Sequence, residues 1–332
     1  MSGRPPASTS GRQARPGAPI ASGALRGLGL MFVSTFFFAS MHGSIRYLSD
    51  AIHPFEIAFF RSLFALVVVM PWFYREGFAL LRTRHIGLHG LRAVLNVFAM
   101  LSFFYALSIT PLSEVTALGF TAPIFTTLLA ALLLGEAVRL RRWSAIVVGF
   151  VGTLIILRPG FAEIGTGQLL VLFSSMVWAC ALLVIKTLGR TDSSATIIAY
   201  MALLMMPLTL VPAAFVWQWP DGVQLLWLIL VGVLGGAGQL CMTEALRQAD
   251  TAVVMPIDFC KLLWVAVIAY LAFGEVPDRY TWLGGAVIFM SAMYIAYRER
   301  QVARGIGLRG LLSEKTARRQ RLEREGPIER AP

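Results

Sequence analysis

Lys261 stands at the midpoint of an unbroken apolar stretch, and Asp258 precedes it by three residues, which puts both on one face of a helix about one turn apart. Placing an ionised Lys, Arg or Asp at the centre of a membrane-spanning helix costs ~2.5–3.5 kcal/mol, so such a group faces protein or a water-filled path. A self-neutralising pair that keeps the helix insertable is one reading; a polar patch that contacts an ionic solute is the other. Pro256, just before the pair, removes a backbone donor, and solute or water can meet the freed carbonyl. Further polar groups stand in other apolar runs. Asn96 and Gln239 either bond across helices or touch solute. His42 titrates near neutral pH when unperturbed. Arg61 lies two turns into its run, ~10 Å from one edge at ~1.5 Å per residue. It either snorkels to headgroups or pairs with an acid, with Glu114 as the expected partner and Glu56 on its own helix. Glu244 and Arg247, one turn apart, are expected to gate the cytoplasmic side, and Trp178 to stack a planar solute.

Other candidate chemistries find less support. His85 and His89 have metal-ligand spacing on a helix but lie amid Arg84 and Arg92, so a surface cluster is expected and no metal or cofactor is assigned. Cys180, Cys241 and Cys260 have no C-x-x-C spacing and read as small buried hydrophobes. An intramembrane enzyme would need a nucleophile–base or metal constellation, and the spans hold neither G-x-S-x-G nor H-E-x-x-H.

The elements that position these residues are apolar helices. A chain of 332 residues that is 57% hydrophobic and 14% charged is not an ordinary soluble domain. A bilayer core ~30 Å thick needs ~20 apolar residues, and ten such runs occur, near 24–48, 54–74, 86–108, 111–134, 141–158, 166–187, 194–216, 223–246, 251–273 and 280–297. Pro54, Pro111 and Pro159-Gly160 mark connections, and Gly135 and Gly274 close the fourth and ninth runs. The charge is segregated. Of the net +11, the tails 1–23 and 298–332 hold +8, which fits contact with anionic headgroups and not a nucleic-acid groove. No removable signal peptide is read in the first tail. With the N-terminus inside, 24 of the 29 Lys and Arg collect on the cytoplasmic side; Arg46, Arg158 and Arg279 fall outside, and Arg61 and Lys261 stay within.

The ten runs are one unit doubled. At an offset of 139, Ala106-Leu107 falls on Ala245-Leu246, Phe120 on Phe259, Gly135-Glu136 on Gly274-Glu275 and Trp143 on Trp282. At 140, Phe38-Ala39 falls on Trp178-Ala179, Arg46 on Lys186 and Leu48 on Leu188. Five spans per copy, an odd number, force the copies upside down relative to each other. The loop charges agree: 135–142 carries +2 and its counterpart 274–281 carries −1. The expected fold is therefore an all-α polytopic membrane protein with ten transmembrane helices as two inverted five-helix repeats, 24–158 and 166–297, between a basic disordered tail 1–23 and a basic cytoplasmic tail 298–332.

The sequence resembles an EamA-type member of the drug/metabolite transporter superfamily. The resemblance rests on His53-Pro54-Phe55-Glu56-Ile57-Ala58-Phe59-Phe60-Arg61 in the second span and Thr121-Ala122-Pro123-Ile124-Phe125 through Leu134-Gly135-Glu136 in the fourth. Trp143, Gly149 and Gly152 in the fifth and Trp178 with Lys186 in the sixth add to it. The chain departs from the pattern at Phe38, where the family usually has Trp, and at Asp258 and Lys261. The resemblance implies a bacterial inner-membrane carrier with a cavity lined mainly by spans one, three, four, six, eight and nine. It also implies a structural or gating ion pair at Arg61.

The function expected is alternating-access transport of a small organic metabolite, amino-acid-like, nucleoside-like or a vitamin such as riboflavin. A channel or a non-transporting sensor or scaffold is the rival reading. Expected partners are the solute, anionic lipid at the tails and a second copy of the chain, with no nucleic acid.

Overall fold

The computed structural model describes residues 20–76, 83–133, 140–159, 163–188, 191–192, 194–248, 254, 257–295 and 297. Among them there is no β-strand. The helices are α1 (Ile20–Leu48), α2 (Pro54–Glu76), α3 (Ile86–Ile109), α4 (Leu112–Gly119), α5 (Ala122–Leu133), α6 (Leu140–Leu157), α7 (Thr166–Leu188), α8 (Ser194–Ala214), α9 (Gly222–Gln248), α10 (Cys260–Phe273) and α11 (279–295). Five stretches have the length and apolar composition to cross a membrane, including α4 and α5 taken together as Leu112–Leu133. Leu132, Leu133, Val147, Val151, Leu226 and Leu271 stand largely exposed around the bundle. So much apolar outer surface suits lipid and not water.

Local chemistry sets the helix limits. Pro54 opens α2 and Pro111 precedes α4, positions where the missing N–H costs nothing. The fourth span, expected as one helix over 111–134, is broken at Phe120-Thr121. Pro123 cannot donate to the preceding turn, and the Thr121 hydroxyl instead donates to Leu118 O at 2.7 Å. At the equivalent place in the second repeat, Phe259 caps the start of α10. The two breaks meet: the Phe120 and Phe259 rings are 4.9 Å apart, and Phe259 stacks on Phe289 at 4.0 Å. Gly135, Glu136 and Pro256 lie outside the described residues.

The packing follows the repeat. α1 lies on α9 and α10, and its counterpart α7 lies on α3 and α5. α2 lies on α8, and the broken helices lie on each other. Exchanging the two repeats maps these neighbours onto themselves, which is the pseudo-two-fold arrangement of an inverted duplication. Span five crosses span ten through glycine. A Cβ on Gly152 would sit 2.9 Å from Gly284 O, and one on Gly284 would sit 2.6 Å from Gly152 O, so the backbones approach as closely as small residues permit. Ser291 fixes the crossing by donating to Ala145 O at 2.6 Å. These glycines pack helices, as their sequence setting in apolar runs predicts.

Candidate functional site

At mid-depth, polar side chains from both repeats converge on the two helix breaks. Lys261, in the first turn of α10, keeps the expected pair with Asp258 at 3.5 Å. Both side chains stay about one-fifth exposed, at 19% and 20%. The same ammonium lies 4.8 Å from the centroid of Phe120, directly over the break of the fourth span. This is a cation–π contact, which gains strength away from water. On α1, His42 is buried with its ring 5.1 Å from Phe103 of α3. Phe103 in turn lies against Gly119, where an added Cβ would meet the ring at 3.4 Å. Arg61 and Lys261 are both within electrostatic reach of His42.

Arg61 does not snorkel. Its Nη1 contacts Met100 Sδ at 3.5 Å, and its Nε lies 3.2 Å from where a Cβ on Gly235 would stand. Gly235 is near the middle of α9, so the guanidinium reaches inward and a glycine gives it room. Asn96, one turn before Met100 on α3, is 1% exposed, and neither its Nδ2 nor its Oδ1 has a partner among the described residues. His42 Nδ1, Arg61 Nε and Trp264 Nε1 are likewise buried without a partner. Buried polar atoms are nearly always satisfied in native proteins, and such a group signals a ligand or water.

The expected pairing of Arg61 with an acid is not what the structure has. Glu56 is buried and its Oε2 accepts from Gln218 N at 3.1 Å, while Glu114 accepts from Gln168 Nε2. Glu56 and Arg61 are five residues apart, neither three nor four, so they face different sides of α2. Both acids sit in the first turns of their helices, near the rim, whereas Arg61 points to mid-depth. Gln239 is half-buried on α9, next to Gly238, whose carbonyl accepts from Ser34 Oγ at 2.8 Å. Trp178 is 36% exposed and makes none of the contacts above. Glu244 accepts from Gln248 Nε2 at 2.9 Å, and the Arg247 side chain lies outside the described residues. The cysteines are half-buried and free.

His85 and His89 do not form a surface cluster. His89 is 2% exposed, stacks on Tyr200 at 4.5 Å and lies 2.7 Å through Nε2 from Asp192. Asp192 also accepts from Thr83 Oγ1 at 2.6 Å and approaches His85 at 3.8 Å. Its carboxyl is held below the usual aspartate value by the Thr83 hydroxyl and then by His89. One turn on, Arg92 Nη1 donates to Ile197 O at 2.8 Å. This end of the bundle is thus tied together across the repeats, with groups from 83–92 meeting groups from 192–197.

The opposite end is tied too, by residues that sequence reasoning left unassigned. α10 ends at Gly274 in the left-handed region (φ 66), and Glu275 N donates back to Ala269 O at 3.0 Å. This turn requires a residue without a Cβ penalty, and it aims Glu275 across the repeat boundary. There Glu275 accepts from Leu112 N at 3.0 Å and pairs with Arg46 at 3.5 Å; Arg46 also donates to the Leu107 and Ser108 carbonyls. Arg158, at φ 47, pairs with Asp278 at 2.6 Å. Asp278 sits below its usual value: burial raises it, but the Thr281 hydrogen bonds and Arg158 outweigh that. Sequence carried a signal for this rim, since Arg46 and Arg158 were two of three basic residues placed opposite the tails, facing a loop of net −1.

Two stretches of the chain, 25–158 and 165–297, match the model of the EamA-like transporter family. The chain belongs to this family. A riboflavin transporter of Vibrio cholerae is 34% identical to this EamA-like transporter over 75% of the chain and 84% of its own length. An S-adenosylmethionine uptake transporter of Rickettsia felis is 29% identical over 83% and 94%. A solved crystal structure, 17% identical, superposes with a TM-score of 0.56 over 85% of this transporter and 99% of its own chain, a likeness of fold. The protein is a multi-pass transporter of the drug/metabolite superfamily, not an enzyme.

Proposed function

We propose that this transporter sits in the bacterial inner membrane with both termini in the cytoplasm and moves a small organic metabolite by alternating access. The observation that carries the reading is the Asp258–Lys261 pair at the paired breaks of Phe120 and Phe259, with His42 against Phe103 and with Asn96 and Arg61 Nε buried and unpartnered among the described residues of α3 and α2. Polar groups at that depth are costly and mark a solute path. Broken helices at a repeat interface are where inverted-repeat carriers bind their cargo.

The repeats divide as 24–158 and 166–297, and rocking of one against the other opens each end in turn. At the Glu275 end, Arg46–Glu275 and Arg158–Asp278 release when the site opens outward. At the other end, His89–Asp192 releases when it opens to the cytoplasm. The excess of basic residues on the tail side supports the orientation, and the tails rest on anionic headgroups.

The solute is amino-acid-like, nucleoside-like or a flavin. The relatives named for S-adenosylmethionine and riboflavin support this class, as does a site that mixes charge with the aromatic faces of Phe103, Phe120 and Phe259. Reconstitution into liposomes tests it. Uptake of radiolabelled S-adenosylmethionine or riboflavin should saturate with concentration, and fall when Lys261→Ala or Asp258→Ala is introduced. Unsaturable flux with a resolvable current would favour a channel instead.

A further inference from the structure

A guanidinium at mid-depth in a membrane protein ordinarily has an acid beside it, because an uncompensated charge there is expensive. Arg61 has none among the described residues; its Nη1 meets a thioether and its Nε meets nothing. The acids described above are engaged elsewhere. Glu56 accepts through Oε2 from Gln218, Glu114 accepts from Gln168, Asp258 pairs with Lys261, Glu275 with Arg46 and Asp278 with Arg158. Arg61, Lys261 and Asp258 therefore leave the mid-depth site with one positive charge unbalanced.

The surroundings of Arg61 are arranged to keep it free. Gly235 makes space at its Nε, and the sulfur of Met100 is a weak acceptor that does not neutralise it. Met100 shares a face of α3 with Asn96 four residues before it and Phe103 three residues after it. Asn96 offers an amide with both polar atoms unpaired, at 1% exposure, and Phe103 carries His42 on its ring. One stripe of α3 thus presents an unpaired amide and an aromatic surface on either side of the thioether that meets the Arg61 cation.

We infer that Arg61 is the receptor for an anionic group of the transported solute, a carboxylate or a phosphate, with the Asn96 amide beside it and the solute's planar part against Phe103 and Phe120. Arginine fits this part because its planar fork binds such groups through two hydrogen bonds at once, whereas lysine offers a point charge. The inference rests on the mid-depth site being the solute site. It makes the relatives' two named cargoes differ sharply, since S-adenosylmethionine carries a carboxylate and riboflavin carries no anionic group.

The test compares matched probes with the wild-type transporter and the Arg61→Gln and Arg61→Lys variants in sealed liposomes. The pairs are S-adenosylmethionine with its decarboxylated form, and riboflavin 5′-phosphate with riboflavin. The first pair reads carboxylate, the second phosphate. In at least one pair the anionic member should be taken up with about tenfold higher kcat/KM, equivalent to about 1.4 kcal/mol. Arg61→Gln should bring that ratio close to one by lowering uptake of the anionic member about tenfold more than that of its partner, and Arg61→Lys should restore part of it. A wild-type protein that shows no preference in either pair overturns the inference whatever the variants do. So does a preference that survives Arg61→Gln. Thermal shift of the solubilised protein separates this from the transport reading. Stabilisation by the anionic probes through Arg61, without uptake of any probe, would sink the carrier mechanism and leave the receptor role standing. No shift and no uptake with any probe would overturn the receptor role.

Discussion

At the Glu275 rim the carboxylates bond across the repeats: Glu275, Asp278 and Glu114 each find a partner in the other repeat. At mid-depth, between the helix breaks, Asn96, His42 and Arg61 keep buried polar atoms with no partner among the described residues. Both regions carry charge, but they hold it differently. Rim pairs hold two rigid halves in one arrangement and can be exchanged for water when the halves part. At mid-depth Lys261 keeps Asp258 and the Phe120 ring, whereas the Asn96 amide gains nothing from the described residues. On the function proposed above, paired polarity sets the state and unpaired polarity awaits the cargo.

The sharpest break of this comparison is Asn96→Leu. If the amide serves solute, uptake falls about tenfold or more, the loss expected for a buried hydrogen bond of ~1.5 kcal/mol to a charged or polar ligand group. The melting temperature meanwhile stays level or rises, because an unpaired buried amide has been replaced by an apolar chain. A lower melting temperature with normal uptake would instead make Asn96 helix glue. Gly274→Ala comes next. Forcing a Cβ into φ 66 costs about 1–2 kcal/mol, and it should lower the melting temperature by several degrees and loosen the aim of Glu275.

At the rim itself, Glu275→Gln and Arg46→Gln should each raise access from the Glu275 side about two- to fivefold, the effect of ~0.5–1 kcal/mol on a two-state equilibrium. The readout is labelling of a cysteine placed at His42 in a background lacking Cys180, Cys241 and Cys260, with a membrane-impermeant thiol reagent added on that side. The double variant should fall short of the sum of the two singles, since both remove the Arg46–Glu275 pair. The smallest effect is acidic. Asp192 and Asp278 both titrate below the usual ~3.9 of an unperturbed aspartate. Their stabilisation is complete above that value and disappears as pH falls through their lowered native values. Melting temperature should hold from pH 8 to about 5 and decline below about 4, and Asp192→Asn should shallow the decline. An unchanged acid limb would mean that the Asp192 contacts contribute nothing to stability.

What was legible in the chain was whatever is written locally. The ten apolar runs, their breaks at proline and glycine, and the opposite charge of the loops 135–142 and 274–281 are short-range patterns. The Asp258–Lys261 pair was legible for the same reason, since three residues of helix fix it. The break of the fourth span at Thr121-Ala122-Pro123 hides inside an apolar run that reads as continuous helix over 111–134, because a proline near a helix start and one that ends a helix look alike in sequence. Arg61 misled because its nearest acids by position, Glu56 and Glu114, lie at a different depth. His89 misled because arginine neighbours suggested a wet surface, whereas Asp192 and Tyr200, far along the chain, cover it.

By itself, then, the sequence determined that this is a doubled, inverted, ten-span membrane protein of the EamA-like kind, because hydrocarbon thickness, backbone hydrogen bonding and loop charge act on short stretches. Only the tertiary structure decided which polar groups face one another across the repeats. Spans that are apolar on every side carry no stripe to say which face turns inward. That choice is made by close approaches such as Gly152 on Gly284. Across the same repeats Arg46 meets Glu275, and Arg61 has no acidic partner among the described residues.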